Sequence, residues 1–179
     1  KKKGPHRAHL IVDPNAEWRR QVGLAEPEPF SVEVDGRTIE GWYFKPEHLA
    51  EGEKVPVVLS IHGGPEWMYG GYFLPEFHIL PRYGYGVVIA NPTGSMGYGH
   101  EFRMGVRGDW ISRPGREVMA CLDKAIAAGW ADPDRLAVMD AWGALDVDGV
   151  ALLDELRGRE VRTPVIMMSG HGTIEVAME

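Results

Sequence analysis

The amino-acid sequence predicts an α/β domain, with a central, mainly parallel β-sheet, helices on both faces and an antiparallel hairpin near the N-terminus. Two observations lead to this prediction. Continuous apolar runs of strand length alternate with segments whose apolar residues recur at helical spacing. Before the first of these runs, Asp35-Gly36 separates two stretches in which apolar and polar residues alternate, which is a strong signal for a β-hairpin.

The elements are predicted to follow one another in a regular order. Residues 1–29, rich in proline and charge, are predicted to be an irregular lead-in, and residues 30–179 a single domain that opens with the hairpin. The apolar runs that follow are typical of strands buried on both faces; they read VPVVLSIHGGP, YGVVIANPTG, DPDRLAVMD and TPVIMMSG. The segments predicted to be helical are YFLPEFHILPRYG, Pro114 to Ile126, DGVALLDELRGRE and TIEVAME. This alternation predicts parallel strand pairing.

The composition is that of an ordinary globular protein, with 44% hydrophobic and 25% charged residues among 179. A net charge of −7 argues against a nucleic-acid partner. No apolar run approaches the roughly 20 residues of a membrane span, and no secretory leader pattern is present. We therefore expect no membrane partner and a cytoplasmic location. Cys121 is the one cysteine, which excludes an intrachain disulfide and a cysteine-rich metal site.

Residues suited to chemistry stand where the predicted strands end. In parallel sheets covered by helices on both faces, ligands bind outside the carboxyl ends of the strands. The residues at those ends are His62-Gly63-Gly64, Asn91-Pro92, Asp140 and Ser169-Gly170-His171. The sequence therefore predicts that a functional site, if the chain has one, draws on these residues.

Residues 20–138 contain, in this order, PEPFSVEVDGRTIEGWYFKP, VVLSIHGGPEWMYGG, FHILPRYGYGVVIANPTGSMGYGHEF, VRGDW and AAGWADPDRLAV. Together these segments resemble the catalytic domain of the prolyl-oligopeptidase family, and its acylaminoacyl-peptidase branch in particular. The resemblance implies that residues 30–138 are hydrolase-like, with an α/β-hydrolase fold, no cofactor and a Ser-Asp-His triad acting on peptides or esters. It also implies that His62, Gly63 and Gly64 form the loop that donates a backbone N–H to the oxyanion.

The chain departs from this family where the nucleophile is expected. The family's serine lies in a Gly-x-Ser-x-Gly turn after the third buried strand. Counting from Val138 places that position at Trp142, which has no nucleophilic oxygen. None of the serines lies in this motif; they are Ser31, Ser60, Ser95, Ser112 and Ser169. For the triad base the sequence offers His171 as a candidate, so we expect catalysis by this chain to be incomplete.

A second resemblance covers residues 146–179. The segments DGVALLDELR, PVIMMSGHG and TIEVA resemble response-regulator receiver domains. That resemblance implies an aspartate that accepts a phosphoryl group and a serine or threonine that binds its oxygens, positions held here by Asp140 and Ser169. The receiver set is incomplete, because the acidic pair that would hold Mg²⁺ is reduced to Asp13. Mg²⁺ is expected only under this interpretation.

Three interpretations stand at this point. The chain is a serine-hydrolase scaffold without its nucleophile, a receiver-like phospho-acceptor signalling module, or an inactive hybrid, natural or designed, of the two folds joined near residues 139–146. The predicted strand Pro164–Met168 adds an expectation about association. It is apolar on both faces and is followed by only a short helical segment. An unpaired edge of this kind favours self-association.

Overall fold

The computed structural model describes residues 11–64, 66–70, 72–109 and 112–141, with the backbone alone for Asp140 and Ala141. Within these residues the strands are β1 (Glu28–Val34), β2 (Arg37–Phe44), β3 (Val55–His62), β4 (Gly86–Asn91) and β5 (Ala131–Ala141). The helices are α1 (Ala16–Val22), α2 (Glu76–Arg82), α3 (His100–Met104) and α4 (Ser112–Ala127). The receiver-like segment 146–179, including the predicted strand Pro164–Met168 and the helices around it, lies outside the described residues.

The strands form one mixed sheet in the order β1-β2-β4-β3-β5. β3 lies between β4 and β5 and is parallel to both. β2 is antiparallel to β1 and to β4. The prediction of a mainly parallel sheet therefore applies only to the side around β3. It is wrong for the other side, because the hairpin joins the sheet through β2, which runs against β4.

The turn between β1 and β2 has the geometry that its sequence favours. Asp35 and Gly36 both have positive φ, at 49° and 76°. Two successive positive φ values are typical of a type I′ turn, whose twist matches that of the flanking strands. The two strands pair over their full length, from Glu28 opposite Tyr43 to Val34 opposite Arg37.

Part of the predicted irregular lead-in is helical. α1 occupies Ala16–Val22 and buries none of its residues. Its first turn is held by Asp13, whose carboxylate accepts the Asn15 N–H and contacts Arg19. Gly23 ends the helix in the left-handed conformation. Local capping and the good helix formers of AEWRRQV account for a helix without an apolar face.

Helices cover both faces of the sheet. Successive residues of β4 point to opposite faces, so Val88 and Ala90 join one apolar cluster, and Val87 and Ile89 join another. On the first face α4 contributes Val118, Met119, Cys121, Leu122 and Ala125. On the second face α2 contributes Phe77. The expectation that helices would lie on both faces is met by α4 and α2.

α4 begins at a turn that the Asp109 carboxylate holds. The Asp109 Oδ1 atom accepts the Ser112 N–H at 2.8 Å and the Ser112 hydroxyl at 2.5 Å. Pro114 lies in the first turn of the helix, where a missing N–H leaves no intrahelical bond unmade. This cap sets the start of the helix that packs across β4, β1, β5 and β2.

Candidate active site

The parallel half of the sheet brings three strand ends to one edge. β3 ends at His62, β4 at Asn91 and β5 at Ala141. The register pairs Ile61 with Asp140 and His62 with Ala141. Of the residues that the sequence singled out, this edge gathers His62-Gly63-Gly64, Asn91 and the backbone of Asp140.

The loop after β3 runs from the buried interior to the surface. His62 and Gly63 are buried, whereas Gly64 is exposed. Gly64 has a φ of 133°, a conformation that side-chain-bearing residues rarely adopt. A Cβ atom there would also lie 2.8 Å from the Glu66 backbone nitrogen. Glycine at this position allows a tight turn whose backbone stays accessible.

The His62 imidazole lies inside a set of buried polar contacts. Its Nε2 atom is 2.9 Å from the Ser95 Oγ, and its Nδ1 atom is 3.1 Å from the Gly63 carbonyl oxygen. Ser95 Oγ in turn is 2.7 Å from the Pro92 carbonyl oxygen. Burial lowers the pKa of His62 below its ordinary value of 6.5, although the hydrogen bond with Gly63 opposes this shift. The ring is therefore neutral at pH 7.

A buried carboxyl group holds the loop that carries Ser95. Glu117, on α4, has no exposed surface. Its carboxyl accepts the Thr93 N–H at 2.6 Å and the Thr93 hydroxyl at 2.7 Å. Sequence reasoning did not single out Glu117. The available signal was a carboxylate four residues before Cys121, on the apolar stripe of α4.

A second set of hydrogen bonds joins Asn91, at the end of β4, to the segment that follows Gly63-Gly64. The side-chain amide of Asn91 accepts the Tyr69 N–H at 2.7 Å and donates to the Tyr69 carbonyl at 2.9 Å. Asn91 also donates to the Tyr98 hydroxyl, which donates to Glu40. Burial, together with the contact to Glu40, raises the pKa of Tyr98 to about 12. Tyr98 therefore remains neutral and donates its proton to Glu40, and the side chains of Asn91 and Tyr98 are both hydrogen-bonded.

Aromatic side chains lie beside this edge and remain partly open to solvent. Trp67 and Tyr72 are 38% and 43% exposed, and their ring centroids are 5.7 Å apart. The Trp67 ring is 6.0 Å from the His62 ring. Met96, whose N–H donates to the Trp67 carbonyl, adds a further exposed apolar side chain. The surface next to the glycine loop is thus apolar and aromatic.

The described residues contain no group of three or more His, Cys, Asp or Glu side chains suited to a metal ion. No described helix is long and apolar enough to cross a membrane. Ser169 and His171 lie outside the described residues. For Asp140 the structure gives a backbone position at the end of β5.

Comparison with known proteins points to one group of peptidases. Residues 72–141 match the profile of the prolyl oligopeptidase family. The chain is 39% identical to the uncharacterized peptidase YuxL of Bacillus subtilis (strain 168), over 72% of this chain and 20% of YuxL. It is 33% identical to dipeptidyl-peptidase 4 of Giardia intestinalis, over 61% of this chain and 15% of that protein.

Solved structures show the same similarity. An acylaminoacyl peptidase in complex with Z-Gly-Gly-Phe-chloromethyl ketone superposes with a TM-score of 0.68 at 32% identity, covering 73% of this chain and 21% of the peptidase. The acylaminoacyl peptidase of Pyrococcus horikoshii superposes with a TM-score of 0.66 at 31% identity, covering 74% of this chain and 22% of that chain.

The chain spans about a fifth of the length of the first of these relatives. The comparisons do not support the receiver interpretation or a hybrid with it. The fold and the sequence comparisons both support the resemblance to the prolyl oligopeptidase family. They show an α/β-hydrolase-like fold whose peptidase relatives need no cofactor. The described part of this chain is therefore similar in fold and sequence to the serine-peptidase scaffold of the prolyl oligopeptidase family.

Proposed function

We propose that this chain carries the oxyanion-loop part of a serine-peptidase catalytic site that receives acylated peptides or esters. We further propose that the chain does not itself form an acyl-enzyme. In this proposal the backbone N–H groups of the glycine loop bind the carbonyl oxygen of the ligand. His62, Gly63 and Gly64 form that loop, and Trp142 stands where the nucleophile is expected.

The register between β3 and β5 carries the proposal. Ala141, the last residue of β5, pairs with His62, the last residue of β3, and Trp142 is the next residue in the sequence. In α/β-hydrolases the nucleophile stands on the sharp turn directly after such a strand, opposite the oxyanion loop. Here that position is Trp142. An indole ring has no oxygen with which to attack a carbonyl.

The serines of the described residues do not replace the missing nucleophile. Ser60 and Ser95 are buried, at 2% and 0% exposure, and both are hydrogen-bonded. Ser31 lies in β1, and Ser112 opens α4 with its hydroxyl on Asp109. Ser95 approaches the His62 imidazole as a nucleophile approaches its base, but a substrate cannot reach a hydroxyl that has no exposed surface.

The ligand class follows from the surface beside the loop and from the relatives. Trp67 and Tyr72 offer exposed aromatic area next to the His62-Gly63-Gly64 loop. One similar peptidase was solved with Z-Gly-Gly-Phe-chloromethyl ketone, which combines an acyl group with an aromatic side chain. We propose that acylated peptides with an aromatic residue fit this site.

Loss of the nucleophile is tested with a fluorophosphonate probe and with hydrolysis of a nitrophenyl ester and an acylated amino-acid anilide. We expect no labelling, and hydrolysis at the rate of the heat-denatured control. The Trp142→Ser variant alone is expected to stay inactive, because a serine also needs an Asp-His pair to activate it, and the sequence identifies none. Stoichiometric labelling of any serine in the unmodified chain would overturn this part of the proposal.

Ligand binding is tested separately, by NMR titration with the non-covalent amide of Z-Gly-Gly-Phe. We expect the amide signals of Gly63 and Gly64 to shift. Gly36, in the hairpin turn, serves as a matched glycine with positive φ away from the site. Shifts at Gly36 of equal size, or none at Gly64, would contradict the proposed oxyanion loop.

A further inference from the structure

The three polar contacts around His62 require more protons than a neutral imidazole and the Ser95 hydroxyl supply together. Three polar pairs lie at hydrogen-bond distance: Nδ1 with the Gly63 carbonyl, Nε2 with the Ser95 hydroxyl, and that hydroxyl with the Pro92 carbonyl. Each pair needs one proton between its atoms. A neutral imidazole contributes one and the serine hydroxyl contributes one. One of the three contacts is therefore not a hydrogen bond in the neutral state.

Two protons can be shared among three contacts in three ways. Donation from Nδ1 to Gly63 together with donation from Ser95 to Pro92 is excluded, because it would set the Nε2 lone pair against the Ser95 oxygen lone pairs at 2.9 Å. Two arrangements remain. In the first, Ser95 donates to Pro92 and the Nε2–H of His62 donates to Ser95, which leaves the Nδ1 lone pair facing the Gly63 carbonyl. In the second, Ser95 donates to Nε2, and the ring proton on Nδ1 donates to Gly63. The two arrangements differ in which carbonyl loses its side-chain donor, and in the tautomer of the ring.

The other hydrogen-bond partners of the two backbone carbonyls distinguish these arrangements. The Pro92 carbonyl already accepts the Ser95 N–H at 3.0 Å. Among the described residues, the His62 ring is the one hydrogen-bond partner shown for the Gly63 carbonyl. Leaving a buried acceptor unpaired costs about 1–3 kcal/mol. The second arrangement leaves none of these groups without a partner, so it is the more stable one.

The Gly63 carbonyl belongs to the same peptide unit as the Gly64 N–H. In a planar trans peptide these two groups point in opposite directions. A donor that holds the Gly63 carbonyl toward the buried ring therefore turns the Gly64 N–H away from it, and Gly64 itself is exposed. We infer that His62 is a positioning residue: its Nδ1–H, donated to the Gly63 carbonyl while Nε2 accepts the Ser95 hydroxyl, fixes the orientation of the peptide that presents the oxyanion donor.

This inference rests on the proposed function only where it assigns the Gly64 N–H to an oxyanion. The arrangement of protons around His62 does not depend on the proposed function. Long-range ¹H–¹⁵N correlation spectra of the imidazole distinguish the two tautomers directly. We expect the Nδ1–H tautomer at pH 7.5 in the unmodified chain and also in Ser95→Ala. An Nε2–H tautomer that changes to Nδ1–H in Ser95→Ala would show the first arrangement and overturn the inference.

Two substitutions separate the contacts of the ring. In His62→Asn the side-chain amide stands close to the position of Nδ1, and in His62→Gln close to that of Nε2. We expect the residual dipolar coupling of the Gly64 N–H, which reports the direction of that bond, to be retained in His62→Asn and changed in His62→Gln. The Gly36 coupling should be unchanged in both, as the check that the sheet is intact.

Equal Gly64 couplings in the two variants would overturn the positioning role even if the Z-Gly-Gly-Phe amide binds. The converse result, with the expected tautomer and couplings but no ligand shifts at Gly64, would leave the positioning of the peptide intact and reject the proposed function. The two failures are thus distinguishable.

Discussion

At the scale of single residues, the site edge is built from buried polar groups whose partners come from other elements. Glu117 on α4 holds Thr93, and Asn91 at the end of β4 holds the backbone of Tyr69. His62 is held by Ser95. A buried hydrogen bond contributes little net stability, but a buried donor or acceptor left without its partner costs about 1–3 kcal/mol. These groups therefore define one arrangement of the loops.

The protonation of His62 makes stability depend on pH. Its folded pKa is lowered by burial, so below the ordinary value of 6.5 the unfolded chain binds more protons than the folded one. The contribution of His62 to the free energy of unfolding is then fully present above pH 6.5. It falls as the pH drops, by at most about 1.4 kcal/mol per pH unit for one group. We expect the free energy of unfolding in urea to be lower at pH 5.5 than at pH 7.5.

A variant assigns this dependence to the ring. His62→Gln should reduce the difference between the two pH values. The part that remains in His62→Gln is expected to come from His78, whose pKa burial also lowers. A His62→Gln variant with the full pH dependence would contradict this assignment.

Some of these residues could be predicted from the sequence and others could not. His62-Gly63-Gly64 follow an apolar run, and a strand end in a parallel sheet is where ligands bind. The pairing of Ser95 with His62 depends on which strands are neighbours, and nothing local to either residue encodes that. Burial is likewise not encoded by residue type alone, since Trp130 is buried whereas Trp67 is 38% exposed at the site edge.

At the scale of elements, close approach between β4 and its neighbours depends on a glycine. A Cβ atom at Gly86 would lie 2.3 Å from the Trp130 ring and 3.1 Å from Val57. Trp130 is buried beside β5, and the Tyr43 ring meets it edge-on at 5.2 Å. The start of β4 thus accommodates the indole because residue 86 has no side chain.

We expect Gly86→Ala to destabilise the protein by about 1–3 kcal/mol, because the added methyl group overpacks a filled core. Gly115, in the first turns of α4, has no atom within 4 Å of an added Cβ. Gly115→Ala is therefore the matched control and should stabilise by about 0.5–1 kcal/mol through higher helix propensity. Urea midpoints measure both; a Gly86→Ala variant as stable as the parent would mean that Trp130 moves without strain.

The elements differ in how far the sequence anticipates them. The hairpin follows from Asp35-Gly36, whose positive φ values few other dipeptides adopt. The antiparallel pairing of β2 with β4 was not anticipated, since strand order depends on tertiary packing. α1 was missed because its signal is local capping at Asp13 rather than an apolar stripe.

At the scale of the whole molecule, the described sheet ends at β5. Among the described strands β5 pairs with β3. We propose that the chain self-associates, as the sequence predicts from the apolar segment Pro164–Met168, which lies outside the described residues.

Sedimentation velocity at micromolar concentration tests this proposal, with a dimer or larger species as the expected result. Val165→Lys should then dissociate the assembly while the subunit stays folded. A soluble, strictly monomeric chain would contradict self-association. In that case Val165→Lys should unfold the protein, because the segment would be an interior strand.

The position of β3 between β4 and β5 has a consequence for synthesis of the chain. β4 follows β3 closely in sequence, whereas β5 is formed only by residues 131–141. Until residues 131–141 have left the ribosome, β3 lacks the partner strand on one of its edges. We expect the unpaired N–H and C=O groups of that edge to be open to other nascent chains during this time.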